Sequence, residues 1–308
     1  MVATVSPDDV KEQFASDGFV ILPAFLSAEE LAPAVADLPT VFPTAEEFHR
    51  DPGAPGNRRF CDEFAGITAF PVDSTALDLL AVHPRLIDLA EPLLDDDLRA
   101  YAIEFWAKYT GAADYEQPFH RDYLNHTLLV PDEDAPPSQV EMFVYLSDVS
   151  AELGPISLLP RTYSTGAPAL PNWYPPDDGQ IDVDHAGWVS AEGRPDWYDR
   201  EIKATGPAGT VVAYRIETFH RGTDLRSEGG SRFTIHINLR RAASDWITRR
   251  AWTDTSNDGS AWNDFVVAAS PRQLQLFGFP PPRHPYWTPT TLAGMGQRYP
   301  GFDTTAWR

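Results

Sequence analysis

A mainly β fold, a sandwich or a jelly-roll barrel flanked by helices, is what this sequence predicts, on three observations. The first hundred residues carry helix caps and helical periodicity. From about residue 100, short runs rich in β-branched and aromatic residues follow one another between turn signals. No helical segments alternate with those runs, which argues against a parallel βαβ architecture, and there is no internal repeat of fixed period.

The elements follow in order. Ser6 is placed to cap a helix that has Val10, Phe14 and Ala15 on one face and Pro7 in its first turn. Gly18-Phe19-Val20-Ile21-Leu22-Pro23 reads as a short buried strand. Ser27 opens a second helix, with Glu29 and Glu30 where the helix dipole favours acid. A helical pair spans 74–82 and 84–95, divided at His83-Pro84. Strands are expected over 103–110, 140–149, 155–160, 209–216 and 232–241. The expected organisation is one domain over 1–308. It has a helical part over about 1–98, a jelly-roll core over about 99–245, and a Pro- and aromatic-rich tail over about 250–308.

Residues 165–202 interrupt the core with Pro168, Pro171, Pro175 and Pro176, and with Trp173, Tyr174, Trp188 and Trp197. So long an irregular insertion is either a lid over a substrate, with Trp173, Tyr174 and Trp188 as its contacts, or an aromatic-anchored surface loop. The tail holds Phe277, Phe279, Tyr286, Trp287 and Trp307, too many large rings for a free linker, so it is expected to pack over the sheet.

Composition narrows the partners. The 308 residues include 24 basic and 45 acidic side chains, a formal charge of −21, which argues against nucleic acid as a partner. The 43% apolar content suffices for a core. Cys61 is the only cysteine, so neither an intramolecular disulfide nor a cysteine-based metal site is possible. The start has no basic, then apolar, signal pattern, and no run nears the ~18 apolar residues of a membrane span. A soluble, cytoplasmic protein acting on a small molecule is expected, with its oligomeric state open.

His120-Arg121-Asp122 and His220 are the candidate metal ligands. Non-haem Fe(II) oxygenases hold iron on one face with two His and one carboxylate, leaving positions open. On extended backbone, side chains two residues apart share a side, so His120 and Asp122 point together. His220, at the end of GTVVAYRIETF, is placed to join them from a neighbouring strand. The sequence carries its own control: Phe48-His49-Arg50-Asp51 repeats the letters of Phe119-His120-Arg121-Asp122 without a strand beside it, and reads as a surface segment. Arg232, twelve positions after His220, opens a strand from which a buried guanidinium can grip a carboxylate with two parallel hydrogen bonds. Glu217 and Asp224 are alternative salt-bridge partners for it. His236, on the same strand, reads as a pocket or core residue, and His126 is not needed by the metal.

Together these residues resemble the phytanoyl-CoA dioxygenase family over most of 10–241. The likeness rests on FASDGFVILPAFLSAEEL, His120-x-Asp122 with Tyr123, YLSDVSAELGPISLLPRTYS, and His220-Arg221-Gly222 with Arg232. Arg161-Thr162 departs from the Gly-Ser of many relatives. The resemblance implies a double-stranded β-helix (cupin-like) core, Fe(II), 2-oxoglutarate as cosubstrate, and O2. It implies oxidative decarboxylation to succinate and CO2 with hydroxylation of a substrate C–H bond. Lys108 matches a lysine that some relatives carry near the cosubstrate. Halogenating relatives replace the carboxylate by a small residue, and Asp122 is present here. Two other functions compete: a cupin-type metalloenzyme without 2-oxoglutarate, and a non-catalytic jelly-roll binding protein. The acidic chain disfavours a CoA thioester, although Arg240, Arg241, Arg249 and Arg250 form a local basic cluster.

Overall fold

A computed structural model describes residues 6–62, 66–112, 116–122, 126–129, 135–168, 171–177, 192–249, 251–255 and 260–308. Tyr123, Trp188, Arg250 and the middle of the insertion lie outside them. Helix α1 (Pro7–Asp17) starts where Ser6 Oγ accepts the Asp9 N–H and ends at Gly18, whose φ of 84° a side chain would resist. Strand β1 (Phe19–Leu22) follows, then α2 (Ala28–Val41), which a reciprocal Ser27–Glu30 capping box opens. Next come α3 (Ala45–Arg50), β2 (Thr68–Ala69), α4 (Thr75–Ala81) and α5 (Pro84–Leu94).

The remaining strands are β3 (Leu98–Tyr109), β4 (Phe119–His120), β5 (Gln139–Tyr145), β6 (Ser157–Leu158), β7 (Trp173–Tyr174), β8 (Ile202–Lys203), β9 (Val211–Tyr214), β10 (His220–Arg221) and β11 (Ser231–Arg241). They form two antiparallel sheets: a large one, β1-β9-β5-β11-β3-β2, and a small one, β7-β4-β10-β6-β8. This is the jelly-roll core expected, with helices flanking it.

Alternation along the large sheet divides its two faces. Ile103, Phe105, Val140, Met142, Ile235 and Ile237 turn outward and form one core with Leu77, Leu86, Ile87, Leu93 and Leu94 of the helices. Each such burial contributes about 1.5–3 kcal/mol. The opposite face, toward the small sheet, carries Tyr145, Val212 and Tyr214 against Ile156 and Leu158. It also carries buried Glu104, Lys108, Gln139, Glu141, Arg232, Thr234 and Asn238. So polar an interior identifies the face on which to look for a site.

The tail is helical, with segments at Trp252–Thr255, Ser260–Ala268, Pro271–Gln275 and Pro289–Arg298. It packs on the helical side: Phe265 and Phe277 lie against Phe70, and Trp262, Leu274 and Trp307 enter the outer core. The first His-x-Asp sequence ends α3. Phe48 stacks on Tyr109 at 4.1 Å and His49 Nε2 meets Gly230 O at 3.0 Å, so this segment buttresses the end of β3 and is more than surface.

Asp78 on α4 is buried, with Oδ1 accepting the Val72 N–H at 3.0 Å. Burial pushes its carboxyl up to about 8, against the lowering effect of that hydrogen bond. The group is therefore neutral in the fold yet ionised when unfolded. Its stabilisation is complete below the ordinary carboxylate range and disappears as pH rises through about 8, at about 1.4 kcal/mol per pH unit between. Asp78→Asn keeps the acceptor, so its melting temperature will fall less than that of the wild type from pH 5 to pH 8. Parallel melting curves would remove this account.

Candidate metal centre

The small sheet brings the two histidines together. Strands β4 and β10 pair antiparallel with His120 opposite His220, and their rings lie 4.5 Å apart. Asp122 sits two residues past His120, on the same side. Its carboxylate oxygens are 3.6 Å from His120 Nε2 and 3.4 Å from His220 Nε2. Candidate ligand atoms of all three residues lie within 4.8 Å of one another. A first-row ion about 2.0–2.2 Å from each of three donors at right angles would set them about 3 Å apart, close to this spacing.

Backbone carbonyls decide which nitrogens face inward. His120 Nδ1 donates to Pro118 O at 2.9 Å and His220 Nδ1 donates to Thr218 O at 3.1 Å. A carbonyl only accepts, so Nδ1 carries the hydrogen and Nε2 turns its lone pair to Asp122. Thr218 is itself anchored, its hydroxyl donating to Gly18 O at 2.8 Å, which ties His220 to the end of α1. Three acceptors thus converge with no fixed donor between them, an arrangement that fits a cation. Burial lowers the pKa of His220, but the hydrogen bond and charge of Asp122 outweigh it and raise the ring's pKa. Burial pushes Asp122 up, and His220 and His120 more than reverse that, holding it well below the usual carboxylate range.

Arg232 and Lys108 lie directly opposite each other on β11 and β3, both buried on the inner face. Glu217 is engaged by Arg215, and Asp224 by Arg226 at 3.0 Å, so each of the two carboxylates offered by the sequence as a partner for Arg232 is held by another arginine. Thr234 follows on the same face, its hydroxyl buried without a hydrogen-bond partner among the described residues. Tyr145 is near enough for Arg232 to oppose the burial that pushes its phenol up to about 12. Two neighbouring buried cations beside a hydroxyl suit an anionic ligand. Period two counted onward from Arg232 would have found Thr234 in the sequence.

The rest of the inner face is aromatic and polar. His236 stacks on Trp106 at 4.2 Å and meets Phe143 at 3.6 Å. Burial and then the charges of Arg232 and Lys108 drive its pKa well below the ordinary value, so the ring is neutral. Trp173 pairs with His120 across β7 and β4, with the rings 5.1 Å apart, while Tyr174 turns away into a cluster with Phe119, Trp197 and Phe219. Of these two insertion residues, Trp173 alone adjoins the candidate metal ligands, and both are strand residues. The basic cluster disperses: Arg240 pairs with Asp245, and Arg249 reaches inward to His126 and Glu104. Among the described residues, no other group of three His, Cys, Asp or Glu side chains gathers as the triad does.

Comparison with known proteins agrees with this geometry. The chain matches phytanoyl-CoA dioxygenase (PhyH) over residues 14–234. It belongs to the phytanoyl-CoA dioxygenase family. Its cofactors are accordingly Fe(II) and 2-oxoglutarate, and it is an oxygenase of that class. No curated protein matches it in sequence. Among solved structures it resembles the epimerase SnoN of nogalamycin biosynthesis, in complex with Fe3+, α-ketoglutarate and nogalamycin RO. The TM-score is 0.53 at 21% identity over 77% of this chain and 84% of that one. The carbocyclase SnoK of the same biosynthesis gives 0.51 at 19%, covering 78% and 85%. EctD from S. alaskensis, with 2-oxoglutarate and 5-hydroxyectoine, gives 0.52 at 18%, covering 79% and 78%. At these identities the likeness establishes the shared fold. Among the described residues no helix is long and apolar enough to cross a membrane.

Proposed function

We propose that this family member hydroxylates a C–H bond of a small organic molecule in the cytoplasm, where an exposed lone thiol such as Cys61 stays reduced. The observation that carries the reading is the convergence of His120 Nε2, His220 Nε2 and an Asp122 oxygen, with both Nδ1 atoms tied to carbonyls. Two imidazoles and one carboxylate on one face are the ligand set of Fe(II) oxygenases. Iron held there would supply dioxygen activation coupled to decarboxylation of 2-oxoglutarate to succinate and CO2.

The chain's own residues do the rest. Arg232 grips the far carboxylate of 2-oxoglutarate with its fork, Thr234 adds a hydroxyl, and Lys108 opposite adds a second positive charge. The hydrogen bonds at Pro118 and Thr218 hold the two rings in the orientation a metal needs. Trp173, against His120, screens the ligands from water. Asp122 fills the carboxylate position that a halogenating enzyme would leave open.

Anaerobic titration with Fe(II) and then 2-oxoglutarate tests this. The wild type will develop the weak visible charge-transfer band of an iron–2-oxoglutarate complex, His120→Ala will lose it and Arg232→Ala will weaken it. Iron binding without a band in the wild type would favour a metal enzyme that needs no 2-oxoglutarate. No iron binding would favour a non-catalytic protein.

A further inference from the structure

An unbroken row of rings links Trp106 on the large sheet to Trp173 on the small one. Trp106 of β3 stacks on His236 of β11 at 4.2 Å, and His236 meets Phe143, directly opposite it on β5, at 3.6 Å. Phe143 lies 5.9 Å from Tyr214 of β9, and Tyr214 lies 4.9 Å from His220. The row then runs through His220 and His120 at 4.5 Å to Trp173 at 5.1 Å. Two of the three candidate metal ligands are therefore members of this belt.

The belt is also where the large sheet opens. Along the inward face of β3, β5 and β11, Lys108, Arg232 and Thr234 at one end and Glu104, Glu141 and Asn238 at the other are buried. Between them, Trp106, Phe143 and His236 are only half-buried. The face thus offers an incoming molecule a surface of three rings. It crosses three strands, a width of about 10 Å at the ordinary strand spacing. The aliphatic side chains on this side, Val212, Ile156 and Leu158, are packed into a cluster of their own. At its near end the belt meets the proposed cosubstrate site: Trp106 lies opposite Thr234, and Lys108 Nζ is 5.9 Å from its ring.

We propose that this belt is the substrate subsite, and that the substrate presents to it a flat aromatic or conjugated ring. The inference rests on the oxygenase reading above and names the substrate class of that same site. A ring placed on the belt gains offset-stacked or edge-to-face contacts beyond the area it buries, whereas an acyl chain gains the area alone. Because His120 and His220 belong to the belt, a ring bound along it lies next to the triad.

Anaerobic holoenzyme, with Fe(II) and 2-oxoglutarate, should be titrated with 2-naphthol and with its saturated counterpart decahydro-2-naphthol. The two share a carbon skeleton and a hydroxyl and differ in flatness and π-electrons. The wild type will bind the aromatic alcohol about three- to tenfold more tightly, the size of one ring–ring contact. Trp106→Leu will erase that preference and Trp106→Phe will keep it, with melting temperature as the check on folding. Phe143→Leu, on another strand, will also reduce it. A merely structural role would weaken both alcohols alike and leave their ratio unmoved. Succinate release should then be followed with flat aromatic and conjugated ring compounds, with octanoyl-CoA, proline and lysine as comparison arms; stimulation is expected among the ring compounds. The proposal is overturned by equal affinity of the wild type for the two alcohols, or by a preference undiminished in both leucine variants. Stimulation by the comparison arms alone, or silence of every ring compound while the charge-transfer band forms normally, would overturn it too. Absence of the band in the wild type would instead sink the oxygenase reading, while the two alcohols would still decide the belt.

Discussion

Arg232→Ala will raise the 2-oxoglutarate concentration needed for half-maximal succinate release by about a hundredfold or more. Each hydrogen bond to a charged group contributes about 1.5–3 kcal/mol, and in the proposed site the guanidinium fork supplies two of them to one carboxylate. Lys108, opposite on β3, keeps part of the positive field, so some affinity will remain. Arg232→Lys will fall between, because an ammonium restores the charge and not the fork. Fe(II) binding without cosubstrate will be unchanged in both variants, since neither alters His120, Asp122 or His220. The measurement is succinate release against 2-oxoglutarate concentration, with anaerobic iron titration as the control. An Arg232→Ala enzyme with wild-type KM would mean that 2-oxoglutarate is not gripped there.

Apart from β2, the large sheet was legible in the sequence because its strands are long enough to carry a pattern. Ile103–Tyr109 within β3 and the eleven residues of β11 show the alternation and the β-branched, aromatic content that identify strands. The small sheet was harder to read, since β4, β6, β7, β8 and β10 have two residues each, too few for any period. Strand β7 was hidden further inside a Pro-rich insertion, and there only the register with β4 brings Trp173 to His120. The triad was legible nevertheless, because the extended geometry of His120-x-Asp122 is local, while His220 was identified by its place after a readable strand.

The buried polar row of Glu104, Gln139 and Glu141 was present in the sequence and was not read. Glu104, Gln139 and Glu141 alternate with Ile103, Val140 and Met142, which turn to the helices, so the polar phase of each strand marks the inward face. Alternation ordinarily signals apolar residues inside and polar residues in water, and this protein uses both faces. Arg249 and His126 could not have been joined to Glu104 and Glu141 from spacing. They meet through a short antiparallel contact, with Thr127 paired to Ile247 and Thr248 N–H donating to His126 O, between segments 120 residues apart.

Asp122→Ala will lower turnover by roughly a thousandfold or more, the largest effect of any single change here, because it removes the one anionic ligand of the proposed triad and leaves two neutral imidazoles to hold iron. Its two oxygens stand 3.6 Å and 3.4 Å from the two Nε2 atoms, so no water can take the place of both the charge and the geometry. Asp122→Asn separates the two contributions: it keeps an oxygen in position without the charge, and will retain more iron affinity than the alanine variant. Asp122→Glu keeps the charge but displaces it by one methylene, and a misplacement of about 1 Å at a reacting centre costs about a hundredfold. The fold should survive all three, since the Asp122 side chain is 24% exposed and belongs to none of the apolar clusters. Melting temperature without metal, iron titration and succinate release together make the check. An Asp122→Ala protein that melts normally, binds iron as tightly as wild type and still releases succinate would remove the aspartate from the metal centre.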